Sequence, residues 1–476
     1  MLKTLLCLLP LLAAVPAVAA GDALPPGVAR ALKAAGIPAA SVGIVAQDLG
    51  EAAPRLSINP RQAMNPASVM KLVTTGAALE LLGPAHGWTT EVLGNSPITD
   101  DGVLPGNLYL RGSGDPKLTV DRFWLLLRQL RAKGLREIRG DLVLDRGLFP
   151  KIEEDAAPFD DQPLRPYNVK PDALLLNFKA IRLTLAPDPA RKLVAVQPEI
   201  LPDTLELENQ IRLGNNGCGE WKDGLKAEVL PGGNGRARLK LAGNYSASCG
   251  EKVWNLGVLS HEQYVLGVFR TLWRELGGEF RGTVREAAVP ADARRLAASE
   301  SPPLAELVRD INKYSNNVMA RQLFLALGAT PERAGAEASR SAVQAWLAAR
   351  GMPMPELVLD NGSGLSRSER ISAASMARLL TAMRASPLAP EFISSLPLAA
   401  VDGTMKKRLN GNAIAGQAHI KTGTLEGVKT IAGYVRDNLG HDWVVVFFVN
   451  HPNANQAQAA QDALLRWVFD GGQAQD

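Results

Sequence analysis

The amino-acid sequence predicts a mixed α/β fold of the α+β type, in which an antiparallel sheet flanked by helices is split by a large, mostly β insertion. Strand patterns occur near both ends of the chain, from Ser41 onward and between about 417 and 450, and helical periodicity fills much of residues 301–396. Residues 87–290 differ, because short alternating strands and Gly- or Pro-containing turns outnumber helices there. A structureless loop of that length would be implausible inside one domain, so we interpret this stretch as inserted domain material.

Each end of the chain contributes its own elements to the outer domain. The stretches SVGIVAQDLG from Ser41 and RLSINP from Arg55 alternate as paired strands. Helical patterns follow the insertion at 304–327, 334–350, 372–384 and 389–396. Three strands, GQAHIKTGT, VKTIAGYVRD and DWVVVFFVN, and a helix from Gln456 close the chain. The insertion has two convincing helices, near 120–133 and 261–276.

We expect three domains, one of them split and one nested. Their predicted bounds are 21–88 with 295–476 for the outer domain, 89–196 with 255–294 for inserted domain II, and 197–254 for a small β domain III. Domain III carries Cys218 and Cys249, the two cysteines outside the leader. In an exported chain these most simply form one disulfide, whose loop of about thirty residues is worth roughly 3 to 4 kcal/mol.

The first 20 residues, MLKTLLCLLPLLAAVPAVAA, have the pattern of a secretory signal peptide. Lys3 gives a positive start, the centre is apolar, and small residues precede a cleavage site expected near Ala19 or Ala20. Cys7 lies within the apolar centre and should leave with the signal. No later stretch approaches the roughly 20 apolar residues of a membrane span, so we expect no transmembrane anchor.

Charge and histidine content exclude several classes of function. The net charge is +4, and the basic residues are dispersed instead of clustered, which argues against nucleic-acid binding. The five histidines show no ligand spacing. His419 is better explained as a filler of its strand than as a ligand. We therefore expect neither a metal ion nor another cofactor.

The stretch NPASVMKLVTT, beginning at Asn65, places a serine and a lysine together at the start of an apolar helix. Residues three apart share a helix face, so the Ser68 hydroxyl and the Lys71 ammonium are predicted to be neighbours in the first turn. A lysine can activate a serine if burial or a second cation lowers its pKa. The helix N-terminus favours negative charge developing beside Ser68. Alone, S-x-x-K is a weak signal, because a solvated lysine at a helix start is common.

Two further motifs carry polar groups to places where a cleft could form. In INKYSNNVMA, one helix could break and another begin at 315–317, which would leave Ser315 and Asn317 free to project. In HIKTGTLEG, Lys421 would face one side of a strand, and Gly423 would leave that side open for a substrate. Each motif alone also fits an ordinary turn or strand end.

Taken together, the order S-x-x-K, S-x-N, K-T-G is specific, and it is shared by penicillin-binding proteins and class A β-lactamases. The chain resembles the class C low-molecular-mass penicillin-binding proteins, the D-alanyl-D-alanine carboxypeptidase and endopeptidase family. The resemblance runs from about Pro38 to the last helix and includes RGSGDPKLT, DNGSGLSR, KTGTLEGVKTIAGYV and the large insertion. It implies a penicillin-recognising, β-lactamase-like outer domain and a periplasmic protein, either soluble or loosely associated with the membrane.

The resemblance also implies roles for the motif residues. Ser68 would attack the penultimate D-alanine of peptidoglycan stem peptides with Lys71 as its base, and Ser315 would relay a proton to the leaving amine. Lys421 would keep the pKa of Lys71 low. The substrate would be held by Asn317, Lys421, Thr422, Gly423 and Thr424, with the backbone N–H groups of Ser68 and Thr424 as the oxyanion hole. β-Lactam antibiotics would acylate the same serine.

Two contacts are implied less directly. Arg367, at the end of DNGSGLSR, is expected near the cleft. An acidic residue of the insertion, Asp160 or preferably Asp161, is expected to contact the diamino acid side chain of the peptide together with Tyr167, although the spacing in FDDQPLRPY departs by about one residue from the family pattern.

Two alternatives remain open from the sequence. A secreted serine β-lactamase would use the glutamate of an E-x-x-L-N loop, and Glu356 in PELVLDNG is a near match with Asp360 in place of the asparagine. A non-catalytic peptidoglycan-binding protein would owe its function to the insertion. The intact motifs argue against the second alternative, and the insertion argues against the first.

Overall fold

The structure is a computed structural model, and it describes residues 23–151, 160–330 and 334–473. The predicted signal peptide, residues 1–20, lies outside the described residues. Within the described part of the chain, the α-helices are α1 (Pro26–Ala34), α2 (Lys71–Leu82), α3 (Val120–Ala132), α4 (His261–Glu275), α5 (Leu304–Lys313), α6 (Asn317–Leu327), α7 (Ala336–Ala349), α8 (Ala373–Arg384), α9 (Ala389–Ser394) and α10 (Gln458–Phe469). None of these helices has the length and apolarity that crossing a membrane requires.

The strands of the same residues fall into four sheets. In chain order they are β1 (Val42–Asp48), β2 (Leu56–Ile58), β3 (Thr89–Gly94), β4 (Val103–Leu104), β5 (Leu108–Arg111), β6 (Glu137–Ile138), β7 (Leu142–Asp145), β8 (Ile181–Asp188), β9 (Leu193–Pro198), β10 (Leu205–Gly214), β11 (Leu225–Pro231), β12 (Ala237–Ser246), β13 (Lys252–Leu256), β14 (Glu279–Phe280), β15 (Val284–Glu286), β16 (Arg294–Glu300), β17 (Ala418–Leu425), β18 (Val428–Arg436) and β19 (Asp442–Asn450).

The first sheet joins the two ends of the chain. Its order is β17-β18-β19-β1-β2, and every pairing is antiparallel. The central strand β19 is buried from Trp443 to Val449, because helices cover both faces of the sheet. One face packs on a core that includes α2, α5, α6 and α8, and the other packs on α1 and α10. The α+β class and the antiparallel sheet flanked by helices are confirmed.

The insertion contains the other three sheets. Their orders are β15-β7-β5-β3-β16, β14-β6-β4 and β11-β12-β10-β9-β8-β13. One hydrophobic core, which includes residues of α3 and α4, continues through all three. The Cys218–Cys249 disulfide predicted from the sequence is present in the six-stranded part.

Sheet membership bears on where the domains divide. The six-stranded sheet begins with β8 at Ile181, and β16 pairs with β3 of the insertion as far as Glu300. A boundary at 197 or 295 would cut through these sheets. We therefore propose that the nested unit covers about 181–256 and that the outer domain resumes after residue 300.

Most predicted elements are confirmed, with one omission. The strand pair at 41–58, the helices after the insertion, the break near Ser315 and the three closing strands all occur. The two helices of the insertion are α3 and α4. Helix α1 was not predicted, because its pattern stands directly after the leader and has only two fully buried positions, Val28 and Leu32.

Candidate active site

Ser68 lies in a strained turn at the start of α2. The sequence predicts one helix from about Asn65, whereas the structure has a 3-10 turn over Ala67–Met70 that passes into α2 at Lys71. The Asn65 side chain accepts a hydrogen bond from the Ala67 N–H at 2.8 Å, and Ala67 has a φ of +45°. Strain of this kind persists where the surrounding structure holds a functional side chain in place.

Lys71 is completely buried beneath Ser68. Its Nζ donates to Ser68 Oγ at 3.0 Å, to Asn317 Oδ1 at 2.6 Å and to the Ser363 carbonyl oxygen. Burial, together with the positive charges of Lys421 and Arg321, lowers its pKa well below the ordinary lysine value. A neutral amine within hydrogen-bonding distance of a serine hydroxyl can accept that hydroxyl's proton.

The S-x-N motif forms the connection between α5 and α6. Ser315 has a φ of +54°, and Asn316 caps α6 by accepting a hydrogen bond from the Met319 N–H at 3.1 Å. The cap directs the Asn316 side chain into the helix end. Ser315 and Asn317 face the other motifs, since Ser315 Oγ accepts from Lys421 and Asn317 Oδ1 accepts from Lys71.

The K-T-G motif lies on β17 against the Ser68 turn. Lys421 is buried, and its Nζ donates to Ser315 Oγ at 2.9 Å and to the Thr422 carbonyl at 2.7 Å. Burial lowers its pKa to about 7. A Cβ added at Gly423 would lie 2.9 Å from the Ser68 nitrogen and 2.2 Å from Thr430 Oγ1, so only glycine lets the strand approach this closely.

The two threonines of this motif differ in environment. Thr422 is half-buried and donates to Thr404 Oγ1 at 2.8 Å, whereas Thr424 is exposed at the end of the strand. The structure therefore brings together Ser68, Lys71, Ser315, Asn317 and Lys421, with Thr422, Gly423 and Thr424 along one edge.

The weaker sequence predictions fare differently. Arg367 donates to the carbonyl and the carboxylate of Glu426 at the surface, beyond the end of β17. Asp160 accepts hydrogen bonds from the Tyr167 hydroxyl at 2.6 Å and from Asn168 at 2.7 Å. Asp161 is exposed with a φ of +56°, and the structure brings it to neither Tyr167 nor Ser68. Its contact with substrate stays a prediction.

Glu356 does not occupy the place that a β-lactamase base would need. Its carboxylate accepts from the Ser372 hydroxyl at 2.6 Å, where Ser372 is the N-cap of α8. Burial alone would raise its pKa, but the hydrogen bonds from Ser372 and Ser375 lower it. This carboxylate is fixed at a helix end, and no described contact links it to Ser68 or Lys71.

A cleft of about 1490 Å³ opens beside the site. Ser315 and Asn317 line its inner end, and Tyr167 and α3 line its wall. Arg165 and Lys222 of the insertion also line it, so the predicted domain III contributes to the same cleft as Ser315 and Asn317. Sequence patterns could not show this, because Lys222 stands in an irregular turn between strands.

Comparison with known proteins decides the family. Residues 26–469 match the D-Ala-D-Ala carboxypeptidase 3 (S13) family. The chain belongs to this S13 family. A D-alanyl-D-alanine carboxypeptidase from Actinomadura sp. is 30% identical over 441 residues, covering 89% of this chain and 80% of that protein. The D-alanyl-D-alanine carboxypeptidase DacB of Haemophilus influenzae is 27% identical over 420 residues, covering 86% and 85%.

Solved structures agree with this S13 assignment at the level of the fold. Penicillin binding protein 4 of Haemophilus influenzae superposes with a TM-score of 0.75 at 24% identity, covering 93% of this chain and 99% of that one. A predatory peptidoglycan endopeptidase from Bdellovibrio bacteriovorus gives a TM-score of 0.52 at 17% identity, covering 90% of each chain. The resemblance to the penicillin-binding carboxypeptidases is thus confirmed.

Family membership identifies the S13 protein as a serine-type D-Ala-D-Ala carboxypeptidase, a hydrolase of the penicillin-binding proteins. The β-lactamase and non-catalytic alternatives are not favoured.

Proposed function

We propose that this S13 enzyme cleaves D-alanyl-D-alanine ends of peptidoglycan stem peptides through an acyl-enzyme on Ser68. The observation that carries the proposal is the 3.0 Å hydrogen bond between Lys71 Nζ and Ser68 Oγ in a buried site that lowers the pKa of the lysine. A serine hydroxyl needs an adjacent base to become a good nucleophile, and a lysine with a lowered pKa can act as that base.

The acylation step follows from this geometry. Neutral Lys71 takes the Ser68 proton while Oγ attacks the carbonyl carbon of the penultimate D-alanine. The backbone N–H groups of Ser68 and Thr424 stabilise the oxyanion, each contributing about 3 to 4 kcal/mol. The C–N bond then breaks, Ser315 passes the proton from Lys71 to the leaving amine, and free D-alanine departs.

Deacylation repeats these transfers with water in place of the peptide amine. Lys71 takes a proton from water, the hydroxide attacks the ester carbonyl, and the proton returns to Ser68 Oγ. The terminal carboxylate of the substrate is bound by Lys421, Thr422 and Thr424, and Asn317 holds the substrate amide. We retain Arg367 and Asp161 as proposed outer contacts.

Endopeptidase cleavage of cross-linked peptides is a second activity that the cleft favours. Its volume of about 1490 Å³ exceeds what a departing D-alanine needs. Burial and the positive charge of Arg165 lower the pKa of Lys222, whereas Glu220 raises it, so two cations lie close together in the lining of the cleft. This region suits the carboxylates of a larger peptide leaving group.

We also propose that residues 1–20 direct export to the periplasm. The apolar centre and small-residue cleavage site support the proposal. N-terminal sequencing of the mature protein should give a first residue near Ala20 or Gly21. An intact leader on the active protein would contradict it.

The test of the main proposal uses labelled penicillin and a D-alanyl-D-alanine pentapeptide. We expect the label to map to Ser68 and to persist, and both labelling and hydrolysis to disappear in Ser68→Ala. An adduct lost within about a second would instead indicate a lactamase. An adduct on another side chain would overturn the mechanism.

The endopeptidase activity is tested by mass spectrometry of products from cross-linked dimers. Lys222→Met and Arg165→Met should raise KM for the dimers and leave pentapeptide hydrolysis unchanged. Lys226→Met, an exposed lysine of the same module that does not line the cleft, is the matched control. Dimers left uncut by the wild-type enzyme would rule out this second activity.

A further inference from the structure

Glu369 is a fully buried acid that the mechanism above does not use. It follows the DNGSGLSR segment, and its side chain turns back onto that segment. One carboxylate oxygen, Oε1, accepts hydrogen bonds from three successive backbone N–H groups, those of Asp360 at 3.3 Å, Asn361 at 3.1 Å and Gly362 at 2.8 Å. A single side chain therefore fixes the start of this turn.

The carbonyl groups that follow in the same turn point at α2. The Gly362 carbonyl accepts from Thr74 Oγ1 at 2.6 Å, and the Ser363 carbonyl accepts from Lys71 Nζ. Gly364, with a φ of +80°, packs so tightly on the Ala67 carbonyl that a Cβ there would lie 1.9 Å from its oxygen. The turn held by Glu369 thus contacts both Lys71 and the turn that carries Ser68.

The second oxygen of Glu369 shows that hydrogen bonding alone does not explain a charged residue here. Oε2 is buried and has no hydrogen-bond partner among the described residues. A glutamine would supply the same single acceptor for the three N–H groups without the desolvation cost of a carboxylate. The charge therefore calls for a separate explanation.

The charges around Lys71 explain why a carboxylate is present at this position. Lys421 on β17 and Arg321 on α6 disfavour its ammonium form, whereas Glu369 favours it. Burial and the negative charge of Asp360 raise the pKa of Glu369, and the three N–H hydrogen bonds limit that rise. Within the described residues, Glu369 is the acid that counters two cations at the catalytic lysine.

We propose that Glu369 is a positioning residue for hydrolysis: it holds the 360–363 turn on which Lys71 is seated, and its carboxylate balances Lys421 and Arg321 around that lysine. This inference rests on the proposed function of Lys71 as the base. Lys71 must alternate between neutral and charged forms during each turnover, and one compensating carboxylate keeps both forms accessible in a site without solvent.

Glu369→Gln separates the two parts of this role, because it keeps the acceptor and removes the charge. We expect the acid limb of the kcat/KM profile for a D-alanyl-D-alanine peptide to move to lower pH by about one unit, since Lys71 loses its stabilising partner. Glu369→Asp, which keeps the charge but shortens the side chain, should lower kcat with KM unchanged and leave the limb in place.

The control is Glu356→Gln, which removes a partly buried acid of the preceding segment whose carboxylate bonds to Ser372 and Ser375 at the start of α8. Its profile should match that of the wild type. A stable Glu369→Gln enzyme with an unshifted acid limb would overturn the charge role. If that variant fails to fold, Thr74→Val tests the contact between the 360–363 turn and α2 instead. We expect a several-fold loss of kcat, and unchanged kcat would overturn the positioning role of the turn.

Penicillin labelling distinguishes failure of this inference from failure of the proposed function. If penicillin does not label Ser68 of the wild-type protein, the proposed function itself is wrong. If the wild type is labelled and active but the Glu369 variants keep its kcat and pH profile, only the proposed role of Glu369 is wrong.

Discussion

Lys71 Nζ and Asn317 Oδ1 are 2.6 Å apart, although 246 residues separate them along the chain. The amide oxygen of Asn317 thus accepts a hydrogen bond from the lysine that we propose as the base. We expect Asn317→Ala to lower kcat/KM by about 10²-fold, because Lys71 loses an acceptor and the substrate loses an amide contact. Steady-state kinetics with a D-alanyl-D-alanine peptide measure this loss.

Asn316→Ala is the matched control for that variant. Asn316 is the N-cap of α6, so its loss should reduce the free energy of unfolding by about 1 kcal/mol while hydrolysis continues. Equal losses of activity in the two variants would contradict the distinct roles of these neighbours.

Lys421→Met should shift the pH dependence of acylation. The positive charge of Lys421 helps to lower the pKa of Lys71, so its removal raises that pKa and moves the acid limb to higher pH. This direction is opposite to that expected for Glu369→Gln. Rates of penicillin acylation between pH 5 and 9 provide the measurement, and a limb that moves to lower pH would refute the charge coupling.

The same substitution should change stability in a defined pH window. In the unfolded chain Lys421 has its ordinary pKa of 10.5, whereas in the folded chain its pKa is about 7. Between these two pH values, unfolding therefore takes up a proton. The wild type therefore loses stability as the pH falls from 10.5 to 7, on the order of 5 kcal/mol. Denaturant unfolding should show Lys421→Met gaining most over the wild type near pH 7 and least near pH 10.

Gly423→Ala should disable the site without unfolding the protein. The added Cβ would meet the Ser68 nitrogen, the Pro66 carbonyl and Thr430 Oγ1, which would push β17 away from the oxyanion position. A displacement of about 1 Å can cost about 10²-fold in rate. Gly217→Ala, where the added Cβ meets nothing within 4 Å, is the control. Normal acylation of Gly423→Ala would show that this close approach is dispensable.

The Cys218–Cys249 disulfide should stabilise the nested module and leave the chemistry intact. It closes a segment with a sequence separation of 31, so replacing both cysteines with serine should cost roughly 3 to 4 kcal/mol of stability. Thermal unfolding should show the loss, and penicillin should still label Ser68. Unchanged thermal stability would mean that the module is held by its apolar core alone.

The sequence was most informative where a short motif coincides with a regular element. Spacing along a helix placed Lys71 beside Ser68, and alternation along a strand placed Gly423 on the side of Lys421. The break between α5 and α6 was visible in the run of serine and asparagines at 315–317. These are local rules, so they need no knowledge of distant contacts.

Features that depend on tertiary packing were not predictable in this way. Glu369 has no periodic signal, because its importance arises from three N–H groups that only the folded turn presents. The limits of the nested module depend on strand pairing, which joins β8 to strands far along the chain. The sequence leaves Asp160 and Asp161 as candidates for the same contact, whereas hydrogen bonding in the folded loop ties Asp160 to Tyr167.

The pairing of β1 with β19 has a consequence for the life of the protein in the cell. β1 cannot form its pairing with the central strand β19 until β19 has been synthesised. A nascent polypeptide thus carries Ser68 but neither Lys421 nor the completed sheet. The hydrolase site can therefore assemble only after the strands from β1 to β19 have all been synthesised.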